Sequence, residues 1–453
     1  MKILITGATG FIGRQVALSL RDAGHEIVVL TRNPETASVR LPLACPVYSW
    51  SGADEEPPAE AFKGVDAVVH LAGRNIFGRW TAGMKQDIIR SRVESTRQLV
   101  AVLQSMPEKP TVLVSMSGIG YYGDRGGEML DESAAPGEGF FTDLCGQWEQ
   151  AAREAEAMGI RTVQLRTGMV LGHDGGAMQA MLPAFRMGLG GRIGSGEQWM
   201  SWIHLRDLTG LICHAIENTE VAGPLNAVAP NPVTNAVFTR TLGKVLRRPT
   251  FCTVPEFVLN LLLGEAGQVA LTSQRGICAR ALDTGYTFQY PELKDGLREV
   301  CEHRDHELLL EQWVPRLREE VFDFFSNANN LELLTPPYLK FKVLAATTDP
   351  LQSGTLIDYR LQLHGIPFRW RSLIGEWHPP THFSDTQVKG PYSKWHHTHT
   401  FIEQDGGTLI RDHALYRLPF GVPGDAVGYF LVKKDLEKIF AYRHGKTREL
   451  FGG

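Results

Sequence analysis

The feature that most constrains what this chain can fold into is its opening stretch, Met1 to Gly13, which reads MKILITGATGFIG. Lys2 to Thr6 is a short apolar run with a polar start, the pattern of a strand buried in a parallel sheet. Glycines follow at positions 7, 10 and 13, and Arg14 to Ala23 has a helical pattern. A strand that turns through glycines into a helix gathers bare backbone N–H groups at the positive end of a helix dipole, which suits a pyrophosphate. Gly7 permits the tight turn, Gly10 lets backbone approach the phosphates, and Gly13 lets the helix pack on the strand. Thr6, Thr9, Phe11 and Ile12 complete the predicted cradle. The spacing is GxxGxxG rather than the commoner GxGxxG, so the order strand, glycines, helix carries the argument.

A chain of 453 residues is expected to hold two or three domains. With 43% hydrophobic and 21% charged residues it has ample core for a soluble globular protein. A net charge of −4 argues against nucleic acid or an anionic membrane as the main partner. Six scattered cysteines without a CxxC pair suggest reduced thiols in a reducing compartment. The opening stretch is expected to be strand and turn rather than a signal peptide. The longest apolar stretch, Phe257 to Leu271, is interrupted by Glu265 and two glycines and is too short to span a bilayer. The expected location is therefore the cytoplasm. A homodimer is compatible with these properties, and nothing in them requires one.

After Gly24, His25 to Thr31 supplies a second strand, and Thr31, Arg32 and Asn33 stand at its end. An NAD enzyme usually places an Asp or Glu there to hold the adenosine ribose. Arg32 instead offers a guanidinium fork for a 2′-phosphate, so NADP is favoured over NAD. Pro42 to Pro58 reads as irregular with a short strand near Val47 to Trp50. Val65 to Leu71 is a further buried strand ending in Ala72-Gly73, a small-residue edge against which a cofactor can lie. His70 either lines that crevice with Leu71, Ala72 and Gly73 or sits in the core. Met84 to Met106 is a long amphipathic helix. Thr111 to Ser115 then delivers Ser115, Ser117, Tyr121 and Tyr122 to the sheet's C-terminal edge, where doubly wound sheets bind ligands.

The glycine pattern, the His-Leu-Ala-Gly edge and SMSGIGYYG resemble the extended short-chain dehydrogenase/reductase superfamily. FGRWT, SRVESTRQLV, LRTGMVLG and SWIHLRDL narrow the resemblance to the NAD-dependent epimerase/dehydratase-like family, a branch that also carries a cell-division-inhibitor label. The resemblance covers about the first 300 residues. It implies a Rossmann-type doubly wound α/β sheet and a Ser–Tyr–Lys catalytic set, with Arg166 facing the site. In such a set the Tyr exchanges a proton with substrate, the Lys lowers its pKa, and the Ser orients the substrate oxygen. Aligning on Glu149 in GFFTDLCGQWEQ puts Phe141 at the Tyr position and Cys145 at the Lys position. Phe has no proton to exchange and a neutral thiol is no fixed cation. Ser117 matches the Ser within one residue, and Tyr121 and Tyr122 are the nearest phenols that could substitute. The implied activity is hydride transfer on a carbonyl or carbinol. A nucleotide-sensing or interaction protein without turnover and a nucleotide-sugar epimerase/dehydratase are the alternatives.

Thr162 to Leu171 reads as the next core strand and glycine-rich Gly188 to Gly196 as a mobile loop over the substrate pocket. His204 and Asp207 form either a proton-transfer pair or a structural hydrogen bond. Residues 223–300 look like a small substrate lobe that sets selectivity.

From 301 onward the texture changes, and 10 of the 15 histidines lie there. His306 to Val314 is expected as a strand and Arg316 to Ser326 as a helix, with a second short helix over Asn327 to Leu334. Six period-2 segments follow between Leu339 and Arg417, with Asp405-Gly406-Gly407 as a hairpin turn and Val427 to Leu450 as a closing helix. This order makes an α+β helix-grip domain over 301–453. VFDFFSNANNLELLTPP resembles the START-like or polyketide-cyclase-like superfamily, which implies a cavity for a hydrophobic ligand. His397 and His399 share one face of a strand while His396 points away. A third ligand for them is not visible in sequence, so no metal is assigned.

Overall fold

The computed structural model describes residues 1–453 except Pro42, Phe77, Asp174, His303, Arg304 and Gly453, so the first residues of two quoted stretches and one counted histidine lie outside it. The chain forms two compact units, one of residues 1–33 and 45–303, the other of residues 34–44 and 304–453.

The first unit is built on seven parallel strands: β1 (Lys2–Thr6), β2 (Glu26–Thr31), β3 (Val47–Ser49), β4 (Ala67–His70), β5 (Val112–Gly118), β6 (Arg161–Thr167) and β7 (Gly223–Ala227). Their order across the sheet is β7-β6-β5-β4-β1-β2-β3, a doubly wound sheet whose direction of winding reverses between β1 and β4. Strands buried on both faces explain the continuous apolar runs: Ile3, Leu4 and Ile5 are wholly inaccessible, as are Val68, Val69, Leu113 and Val114.

Helix α1 (Phe11–Asp22) buries Gly13, Val16, Ala17 and Leu20, one stripe at 3.6-residue spacing. The expected single helix over Met84 to Met106 is α2 (Ala82–Ile89) and α3 (Ser95–Ser105) joined by a π-helical segment, Arg90–Glu94. Such an inserted residue rotates the side chains around it and is common beside functional sites. Helix α4 (Phe140–Arg153) packs beside β5.

Two expectations are corrected. The strand expected over Thr162 to Leu171 splits: β6 ends at Thr167, and Met169–Leu171 pairs instead with Trp202–His204. The loop expected over Gly188 to Gly196 contains a strand, Gly191–Ile193, paired in parallel with Cys252–Val254. Gly191 is needed there because a Cβ would stand 2.0 Å from the Cys252 carbonyl oxygen.

The second unit is an antiparallel sheet of β8 (His306–Val314), β9 (Lys342–Ala346), β10 (Leu356–Leu363), β11 (Ile366–His378), β12 (His382–Lys389), β13 (Lys394–Gln404) and β14 (Gly407–Arg417). The order is β8-β14-β13-β12-β11-β10-β9. Gln404 pairs with Gly407, so Asp405-Gly406 is a two-residue hairpin loop, with φ +49° and +72°. Two short helical pieces, Arg318–Phe325 and Ala328–Leu331, and a closing helix α5 (Gly421–Phe451) complete a helix-grip fold. Leu436 and Phe440 of α5 pack against Trp370, Trp395 and Tyr416 of the sheet. The helix Pro34–Arg40, unremarked in sequence, groups with this unit, where Arg40 pairs with Glu437 (3.3 Å).

Candidate functional site: a glycine cradle with an altered catalytic set

At the switch point between β1 and β4 the chain is close-packed around Gly7. Its φ is +73°, and a Cβ would stand 2.8 Å from the Ala72 nitrogen. A Cβ on Gly13 would stand 2.2 Å from the Gly7 carbonyl oxygen. Both positions therefore admit glycine alone. Gly10 is the N-cap of α1, and no side chain caps the helix. The first-turn N–H groups of Phe11, Ile12 and Gly13 thus lack a capping partner, as an anion site requires. The Phe11 ring is held between Gly172, Gly175 and Gly176, each of whose Cβ would meet it. Its contribution to the cradle is main-chain.

Of the expected cofactor residues, Leu71 and Ala72 are half-buried and Gly73 is exposed. Thr9 is half-buried beside them in the glycine turn, and Arg32 is exposed at the end of β2 without an ion-pair partner among the described residues. Three others lie elsewhere. Thr6 and His70 are wholly inaccessible. Thr6 Oγ1 bonds His70 Nδ1 at 2.7 Å and accepts from Ala72 N–H at 3.2 Å, and Ser95 Oγ lies 3.5 Å from His70 Nε2. Burial holds the His70 pKa down at about 4, so it is a neutral core residue pinning β1 to β4 and α3.

Arg166 is the third, and it is buried. It is 3% exposed and grips Glu149 with two parallel bonds, Nε to Oε1 and Nη2 to Oε2, each 2.9 Å. Burial opposes its charge, yet the bonds and charge of Glu149 keep the guanidinium pKa above its ordinary value. Ser117 donates to the same Glu149 Oε1 at 2.8 Å. Ser117, Arg166 and Asn226 are neighbours across β5, β6 and β7, so this buried polar row follows from strand register.

Tyr122, one of the catalytic candidates, belongs to the row. It is wholly inaccessible, accepts from Arg166 Nη1 at 2.9 Å, and its hydroxyl lies 2.8 Å from Asn226 Oδ1 and from the Asp131 carbonyl oxygen. Burial pushes its pKa up to about 12. Tyr121 is half-buried, with the Arg166 guanidinium 3.5 Å from its ring centroid.

Phe141 and Cys145 stand one helical turn apart on α4 over the C-terminal end of β5. Phe141 lies against Gly120 and 5.1 Å from the Trp80 ring, and Cys145 Sγ lies beside Gly118. Burial pushes the Cys145 thiol up to about 11, so it stays neutral. A cation not foreseen in sequence comes close. Arg92, from the π-helical segment, lies with Cζ 3.2 Å from where a Cβ on Gly73 would stand and acts electrostatically on Cys145. Burial pulls its pKa down to about 10. Arg92 lies within the π-helical segment, which no sequence pattern announces.

His204 and Asp207 do not pair for proton transfer. His204 Nε2 binds Glu299 (2.9 Å), and the Asp207 carboxylate accepts from the Gln289 and Tyr290 N–H groups at 2.6 and 3.0 Å. The 223–300 region contributes to an open cleft of about 300 Å³ lined by Arg192, Thr239, Arg240 and Phe251.

Comparison with known proteins places these features. Residues 3–227 match the NAD dependent epimerase/dehydratase family, 254–300 a domain of unknown function (DUF1731), and 314–437 the polyketide cyclase / dehydrase and lipid transport family. The chain is 40% identical over 307 residues to the chloroplastic epimerase family protein SDR39U1 homolog of Arabidopsis thaliana, covering 67% of this chain and 87% of that one. It is 37% identical to the epimerase family protein YfhF of Bacillus subtilis, covering 67% and 99%. The crystal structure of human epimerase family protein SDR39U1 (isoform 2) with NADPH superposes with a TM-score of 0.61 at 37% identity, covering 67% of this chain and all of that one. Among the described residues no helix is long and apolar enough to cross a membrane. By its glycine cradle, its sheet and these relatives, the chain belongs to the NAD dependent epimerase/dehydratase family, extended by a C-terminal domain of the polyketide cyclase type.

Proposed function

We propose that the first unit binds NADPH and reduces a carbonyl of a small substrate, and that the second unit holds a hydrophobic ligand. The observation that carries the reading is the uncapped start of α1 behind Gly7 and Gly13, with Arg32 standing where an acidic residue would select NAD. The human relative solved with NADPH supports the same cofactor. The residues present fit it: N–H groups of Phe11 to Gly13 for the pyrophosphate, Arg32 for the 2′-phosphate, and Leu71 to Gly73 as the edge beneath the nicotinamide half. Nicotinamide, when bound, supplies the hydride.

This chain's own task is then to orient the carbonyl and to provide a proton. Arg92 supplies fixed positive charge beside Gly73, the role the absent Lys would fill. Tyr121 is the phenol of the pair whose hydroxyl is not held in the buried row. The free thiols of Cys145, Cys213, Cys252, Cys278 and Cys301 suit the reducing cytoplasm to which the reading assigns the protein. A second reading, nucleotide sensing without turnover, is favoured by Phe141 and Cys145. Nucleotide-sugar epimerisation suffers most from their presence.

The test is transfer of deuterium from 4-deuterated NADPH across a panel of aldehydes and ketones. Label in product, lost in Arg92→Ala and reduced in Tyr121→Phe, supports the reductase. NADPH binding with no label in any product, and activity gained in Phe141→Tyr/Cys145→Lys, replaces it with the sensor.

A further inference from the structure

The inner face of the second unit's sheet carries a buried cluster of histidines and carboxylates. His397 and His399 lie two residues apart on β13 and are each 4% exposed. Strand pairing sets Asp385 of β12 opposite His397 and Asp412 of β14 opposite His399. Asp412 Oδ1 lies 3.1 Å from His397 Nε2 and 2.7 Å from His399 Nδ1. Each imidazole therefore turns one nitrogen to Asp412 and the other, His397 Nδ1 and His399 Nε2, toward Asp385 Oδ2, at 3.5 and 3.7 Å.

With both imidazoles neutral, that arrangement is unbalanced. A neutral imidazole has one N–H. If each donates it to the nearer partner, Asp412, two bare lone pairs and a carboxylate oxygen converge on one spot with nothing positive between them. One extra proton bridges only one of the two gaps, whereas a divalent ion satisfies all three atoms. The three donor atoms lie within 4.8 Å of one another. In a tetrahedral site with bonds of about 2.0–2.1 Å, donors stand roughly 3.3 Å apart; the two separations from Asp385 Oδ2, 3.5 and 3.7 Å, are close to that, and the imidazole nitrogens would have to draw together around the ion.

The surroundings are those of a metal site. Asp412 holds the far nitrogen of both rings, the usual second carboxylate that fixes tautomer and orientation. The other oxygen of Asp385 accepts from Ser372 (3.1 Å), which Tyr359 and the Trp370 N–H hold in turn at 2.6 and 3.1 Å. Arg443 lies on the Asp412 side, its Nη2 3.7 Å from that carboxylate and 3.4 Å from His399 Nδ1. Phe383, Phe325 and Phe440 pack on the rings. The Asp385 side chain is 16% exposed, so the cluster has contact with solvent on that side.

We propose that Asp385, His397 and His399 bind one divalent first-row transition-metal ion, of the zinc class, with Asp412 as the positioning carboxylate. Two imidazoles and one carboxylate form a borderline N/O set that suits zinc, cobalt or iron(II) over calcium or magnesium. With three protein ligands the site is of the open kind that keeps a place for water or a ligand oxygen.

The experiment is titration of the chelator-stripped full chain with Zn²⁺ and with Co²⁺, read by equilibrium dialysis and the visible cobalt spectrum. One ion per chain is expected. Asp385→Asn and His397→Gln should each weaken binding at least about tenfold, and Asp412→Asn about 10–100-fold. His378→Gln/His382→Gln, which removes a stacked surface pair at 4.5 Å, should change nothing. Asp385→Asn keeps the shape of a partly exposed residue, so its melting curve separates ligand loss from misfolding. If the variants fail to fold, X-ray absorption at the zinc edge of the wild-type chain should show two imidazoles. No retained ion, wild-type affinity in folded Asp385→Asn and His397→Gln, or fewer than two imidazoles would each overturn the assignment.

Discussion

Replacing Arg32 by Ala tests the nucleotide assignment where the structure makes the outcome easiest to isolate. Arg32 is exposed at the end of β2 and has no ion-pair partner among the described residues. Its removal should alter stability by no more than about 0.5 kcal/mol. A hydrogen bond to a charged group contributes about 1.5–3 kcal/mol. Loss of the guanidinium from a 2′-phosphate should therefore weaken NADPH by roughly 10- to 150-fold at about 1.36 kcal/mol per tenfold. The larger values belong to low salt, because an exposed pair is screened over about 10 Å at 0.1 M. NADH, which lacks that phosphate, should bind the variant as it binds the wild type. Calorimetric titration with both nucleotides, at two salt concentrations, measures all of this. Equal loss for NADPH and NADH, or none for either, would refute the reasoning and move the 2′-phosphate contact off Arg32.

Other expectations follow from the buried residues. Glu149→Ala leaves Arg166 charged and unpaired in the core, which should cost about 3–5 kcal/mol. At roughly 2 °C per kcal/mol the melting temperature should fall by about 6–10 °C; a change under about 1 °C would show the pair to be dispensable. Tyr122→Phe should destabilise by about 1–3 kcal/mol through its unmet partners while leaving NADPH affinity unchanged; a lost turnover with unchanged stability would return Tyr122 to the catalytic list. His70 has a folded pKa of about 4 against an ordinary value of 6.5. The unfolded chain thus binds the extra proton first, and stability is full above pH 6.5 and lost as pH falls toward 4, by on the order of 3 kcal/mol. His70→Gln should flatten that part of the acid melting profile of the first unit, and an unaltered profile would contradict the neutral, buried His70.

What the sequence made legible is what is local. Lys2 to Gly13 holds strand, turn and helix start within thirteen residues, and the hairpin at Asp405-Gly406 is written in two. Alternation along Lys394 to Gln404 was enough to put His397 and His399 on one face. What it hid depends on strand register over long separations. Glu149 reaches Arg166 and Ser117 only because β5, β6 and α4 meet, and Tyr122 finds Asn226 from more than a hundred residues away. That network puts Tyr122 and Arg166 in a buried row that ties the sheet edge together. Asp385 likewise joins the two histidines by pairing with β13. The π insertion that presents Arg92 and the grouping of residues 34–44 with the second unit arise from packing that no periodicity records.

The central claim is that the glycine cradle holds NADPH. Titration of the purified full chain with NADPH, followed by quenching of nicotinamide fluorescence and by calorimetry, tests it most directly. One NADPH per chain is expected, bound at least about tenfold more tightly than NADH and lost when Gly13→Val closes the cradle. Absence of saturable binding by either nucleotide, with the chain folded, would contradict it.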